Sequence, residues 1–172
     1  MLRQALHKYE TVLGKEHRAV LRFQDLLAQS LDFQGKYKHA EKLHQQIYEV
    51  REKRLGMEHI DTLRSVQNLS RVFERLGNFD AAEEWRRRAL KGFEEILGEL
   101  HPHTSGAAGS LAMILEHQRR FDDAAPLYQR ACAGFKDALG PDNQHTLYYS
   151  EAYSRVLEKR GKGGSHGTNL TI

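Results

Sequence analysis

The chain has 172 residues, with 26 Lys and Arg against 23 Asp and Glu, a net charge of +3, 40% hydrophobic and 28% charged residues. No stretch approaches the roughly eighteen consecutive apolar residues of a membrane span, the first residues lack an apolar signal core, and so mild a basic balance implies no nucleic-acid partner by itself. Cys132 is the only cysteine, which excludes an internal disulfide and leads us to expect a reducing compartment, the cytoplasm.

Residues 2–12 align with residues 86–96 and read as the end of a helix, so the first element, 1–12, is the second helix of an incomplete unit. From there the chain is periodic. Leu13-Gly14, Leu55-Gly56, Leu97-Gly98 and Leu139-Gly140 recur at steps of 42 residues, and His17, His59 and His101 follow at one offset. A strict period of this length signals an array of one supersecondary unit, which places units at 13–54, 55–96 and 97–138. Within 55–96, Leu63, Val66, Leu69, Ser70, Val72, Phe73 and Leu76 keep a helical rhythm that breaks at Gly77-Asn78. Phe79, Ala82, Trp85, Ala89, Phe93 and Ile96 resume the rhythm until Leu97-Gly98, so each unit is an antiparallel helical hairpin.

Glycine closes both turns, with Gly35, Gly77 and Gly161 expected to end first helices and the Leu-Gly pairs to end second ones. Arg119 occupies the corresponding short turn of the third unit and should be strained there. Small residues, Ala28, Ser70, Ala112 and Ser154 on first helices and Ala40, Ala82 and Ala124 on second ones, mark close helix approach. Residues 139–160 read as a first helix without its partner, and 161–172 as a flexible tail. Leu147, Tyr149, Tyr153, Val156 and Leu157 on that last helix lack a cover in the sequence, which leaves two expectations, a piece of a longer array or self-association through exposed end helices.

No constellation of nucleophile, base and metal ligands emerges, and no cofactor site is expected: His17, His59 and His101 share one structural loop position, and the glycines mark helix ends rather than a phosphate loop. Arg86, Arg87, Arg88, Arg119 and Arg120 carry a nucleic-acid alternative, weakened by neighbouring Glu83, Glu84 and Asp122 and by the lack of stacking aromatics between them.

Leu69-Ser70, Phe73, Gly77, Phe79, Ala82 and Ala89, and again Leu111-Ala112, Leu115, Phe121, Ala124 and Ala131, resemble the tetratricopeptide repeat in order. Its usual unit has about 34 residues. The opening Leu97-Gly98-Glu99-Leu100-His101-Pro102-His103-Thr104 is similar to the longer kinesin light chain type. The resemblance implies an all-α, right-handed superhelical solenoid and a non-catalytic protein-protein interaction module that takes a peptide in a concave groove. It leaves open a role as the sensor arm of a larger immune-type NTPase.

The same resemblance implies groove residues on the first helices: Arg22, Asp25, Gln29 and Phe33, then Arg64, Gln67, Asn68, Arg71 and Arg75, then Ser110, Met113 and His117, and finally Tyr148, Glu151, Arg155 and Lys159. Arg64, Asn68, Arg71 and Arg75 share one helical face, suited to carboxylates and to the backbone of an extended peptide. An acidic peptide with a large apolar residue is the expected ligand, in keeping with kinesin light chain grooves. Asp32, Glu74, Glu116 and Glu158 form an acidic column that offers the arginines an internal alternative.

Overall fold

The structure, a computed structural model, describes residues 9–164, with the backbone alone for 162–164. A helical stretch at 9–13 precedes seven helices: α1 (Arg18–Phe33), α2 (Tyr37–Leu55), α3 (Ile60–Arg75), α4 (Phe79–Leu97), α5 (Pro102–His117), α6 (Phe121–Leu139) and α7 (Gln144–Gly164). No strand occurs among the described residues. Packing divides the chain into two compact units, residues 1–85 and 86–172.

In the first unit α1 packs on α2 and α2 on α3. The α1–α2 turn closes as a Schellman motif: Lys36 N donates to Leu31 O at 2.9 Å and Gly35 N to Asp32 O at 2.9 Å. Leu31, Ala40 and Val72 form a buried cluster, flanked by Leu27, Tyr37, Leu43 and Leu76. The small residues work as the sequence predicts at one measurable point. Ser70 Oγ donates to Ala82 O at 2.9 Å, a side-chain to backbone bond that no longer residue leaves room for, since both positions are fully buried. Trp85 closes this unit edge-on to Tyr48, with ring centroids 5.0 Å apart.

In the second unit α5 packs on α6 and α6 on α7. The α5–α6 turn has the same hydrogen bonds, Arg120 N to Leu115 O at 2.8 Å and Arg119 N to Glu116 O at 2.9 Å, but no glycine. Arg119 takes φ +62°, the one left-handed non-glycine residue among those described. Phe135 stacks on Tyr149 at 5.5 Å and 6°, and Tyr149 fits because Gly109 has no side chain: a Cβ there would lie 2.1 Å from the ring.

The histidines of the repeat cap helices. His17, His59 and His101 hold extended backbone and accept through Nδ1 from the amides of Ala19, Asp61 and His103 at 3.2, 3.1 and 3.2 Å. Asn143 does the same for α7, its Oδ1 accepting from His145 N at 2.9 Å.

One expectation is corrected. Gly161 does not end α7, which continues through it to Gly164, and among the described residues left-handed backbone is confined to the interhelical glycines and Arg119. Glycine permits a stop and costs about 1 kcal/mol inside a helix, but it does not impose a stop. Residues 165–172 of the expected tail, and 1–8 of the expected first element, lie outside the described residues.

Candidate functional site

The first unit contains a cleft of about 890 Å³ between α1 and α3, floored by the last turns of α2. Amphipathic spacing creates it: α1 and α3 turn Val20, Ala28, Leu63 and Val66 inward, which leaves Arg22, Gln29, Arg64, Gln67 and Asn68 along the opening. Leu21, Leu26, Val50 and Leu55 add apolar lining, and Leu26 is 55% exposed.

Charge in the cleft is uneven. Five arginines, Arg18, Arg22, Arg51, Arg54 and Arg64, line it together with three carboxylates, Glu16, Asp25 and Asp61. Asp61 is shared by Arg64 at 3.7 Å and Arg18 at 4.0 Å, while Arg54 lies 3.6 Å from the Glu16 carboxylate and donates to the Glu16 backbone oxygen at 3.0 Å. Arg51 is bound most tightly, as Nη2 donates to Asp25 Oδ2 at 2.6 Å and Nη1 to Ser65 Oγ at 2.7 Å. Arg22 is exposed and has no ion pair or hydrogen-bonded partner for its side chain among the described residues.

Asp25, His44, Arg51 and Ser65 form a largely buried polar cluster under the cleft. Burial alone would raise the Asp25 carboxyl, but His44 and Arg51 outweigh it and hold the group below its ordinary value. His44 Nδ1 lies 3.7 Å from Asp25 Oδ1, too far for a hydrogen bond, so Arg51 is the partner that fixes the carboxylate.

The predicted groove residues separate by unit. Arg22, Asp25, Gln29, Arg64, Gln67 and Asn68 meet in the cleft. Arg71 is engaged elsewhere, its Nε 3.2 Å from Oδ2 of the buried Asp32, and Arg75 stands exposed beyond the cleft lining. Phe33 is 90% exposed at the end of α1. In the second unit Met113 receives a weak bond from Tyr148 OH at 3.7 Å, His117 is exposed, and Arg155 grips Glu116 with two bonds of 3.1 Å. Two members of the acidic column, Asp32 and Glu116, therefore hold Arg71 and Arg155.

Of the five cleft arginines, sequence reasoning missed Arg18, Arg51 and Arg54, because it carried over selected first-helix positions and two of these lie on a second helix. A signal existed: at steps of 42 residues Arg51 corresponds to Phe93 and Phe135, so a charge stands in an aromatic column. No group of three side chains suited to a metal ion occurs among the described residues.

A tetratricopeptide repeat model matches residues 28–95 and 61–137. Two solved structures of a kinesin light chain-like protein from Podosopora anserina with nearly identical TPR-like repeats, one of them a single-substitution variant, superpose with TM-scores of 0.77 and 0.78. Each is 22% identical over 94% of this chain and 76% of the other. BtubC (BKLC) from P. vanneervenii superposes with a TM-score of 0.68 at 18% identity, over 99% of this chain and 74% of its own. No curated protein sequence matches the chain.

Proposed function

Because the chain belongs to the tetratricopeptide repeat family, whose members are generally non-catalytic scaffolds, we propose that it is a protein-interaction module that takes an acidic peptide segment in the cleft between α1 and α3. The observation that carries this reading is the charge surplus of the cleft, five arginines to three carboxylates, with Arg22 unpaired among the described residues. Guanidinium groups bind carboxylates in a forked geometry. Gln29, Gln67 and Asn68 suit the amides of an extended backbone, and Leu26 and Leu55 suit one large apolar side chain. No helix among the described residues is long and apolar enough to cross a membrane.

The test is fluorescence anisotropy with pools of labelled acidic and basic peptides. Preferential binding of the acidic pool, weakened in Arg22→Gln and Arg64→Gln, supports the reading, and equal binding of both pools refutes it. Arg75→Glu, outside the cleft lining, is the control for a general charge effect and should bind as the parent does, whereas Arg71→Glu would also strip buried Asp32 of its cation. Self-association is a second reading, narrowed to Leu147 and Leu157 on α7, 50% and 40% exposed, since Tyr149 and Val156 of the face expected to lack a cover are buried. Light scattering that gives a monomer at high concentration removes it.

A further inference from the structure

We propose that Arg51 is a positioning residue for the cleft: by holding the Asp25 carboxylate it keeps Arg22 free for an anionic ligand group. The inference rests on the acidic-peptide reading and adds a cause for the open arginine. Arg22 and Asp25 are three residues apart on α1, a spacing that makes opposite charges neighbours within pairing reach. Here they form no ion pair. The carboxylate instead turns to α2, where it accepts from Arg51 Nη2 at 2.6 Å.

Arg51 is itself anchored, so the arrangement is fixed from three helices. Its Nη1 donates to Ser65 Oγ on α3, and Ser65 Oγ in turn donates to Asp61 O at 3.2 Å. The Arg51 side chain is 7% exposed and that of Asp25 16%, against an exposed Arg22. A buried arginine committed to an inner carboxylate contributes little charge to a ligand. Its effect is to remove the competitor nearest to the arginine that faces solvent. The lowered Asp25 carboxyl is consistent with this, since the group is ionised at neutral pH and would pair with Arg22 once released.

The experiment compares the intact protein with R22Q, R51Q, D25N and R51Q/D25N, using the fluorescein-labelled acidic peptide pool and the side-chain Nε–Hε NMR signal of Arg22. R51Q is expected to weaken binding about as much as R22Q, on the order of tenfold, with R51Q/D25N returning to within about twofold of the parent. The Arg22 signal should move in R51Q and return in R51Q/D25N. D25N alone should bind as the parent does, or tighter. A purely structural Arg51 would give no rescue, and that outcome overturns the proposal, as does loss of binding in D25N. If the parent shows no preference for the acidic pool, the ligand reading fails, while the Arg22 signal still decides the role of Arg51. Should R51Q fail to fold, R51K keeps the charge without the fork and is expected to give an intermediate loss; unchanged binding in both R51K and R22Q would overturn the proposal.

Discussion

At the residue scale, turn chemistry sets the energies. Gly56 and Gly140 take φ of +85° and +90° with ψ 166°, a region reserved almost wholly for glycine. Arg119 has no such licence at φ +62°. A left-handed conformation costs an L-residue about 1–2 kcal/mol, part of which returns as the greater unfolded-state entropy of glycine. Arg119→Gly should therefore stabilise the protein by about 0.5–1 kcal/mol, read as a higher urea midpoint with an unchanged slope. Glu116 supplies the pH dependence. Burial raises its carboxyl, but bonds from Arg155, Lys159 and Tyr128 prevail and lower it from 4.5 to about 2. A folded-state value below the unfolded one means the stabilisation is complete above pH 4.5 and is lost as pH falls through about 2. Glu116→Gln should be less stable than the parent at neutral pH and lose less stability across that interval, as followed by urea titrations at each pH.

At the scale of elements, helix existence and hairpin pairing were legible because they depend on local spacing: the Leu63 to Leu76 stripe, the Gly77 turn and the Ala82 contact need only helical geometry. The end of α7 was not, since glycine allows a helix to continue through it as well as to stop. The fill between helices also escaped the sequence. Gly109 reads as a helix weakener, yet it is the hollow that admits Tyr149 onto Phe135. Gly109→Ala, normally favourable in a helix, should here cost about 1–3 kcal/mol by overpacking, as thermal melts would register.

At the scale of the whole molecule, the net charge of +3 conceals a local surplus in one cleft. Acidic-peptide binding should thus fall several-fold between low and high salt, because Arg22 and Arg64 are exposed and screened, while the fluorescence-monitored melting temperature changes little. Six of the expected groove residues, Asp25 among them, line that cleft, placed there by transferring first-helix positions. The floor was not found that way: the period marks Arg51 as a charge in an aromatic column, but which carboxylate it holds, and so which cation stays unpaired, depends on side-chain partners that the period does not encode. The four inner positions under the cleft carry a wider consequence. Asp25, His44, Arg51 and Ser65 correspond, two steps of 42 residues on, to Gly109, Tyr128, Phe135 and Tyr149. One backbone lattice is thus filled with ions in the first unit and with rings in the second. A hairpin that docked one or two repeats out of place while folding would bury Arg51 against aromatic rings or strand Asp25 without its cation, errors that cost far more than surface mismatches. In a chain of look-alike hairpins, unlike fillings of this kind make an out-of-place pairing costlier than the native one.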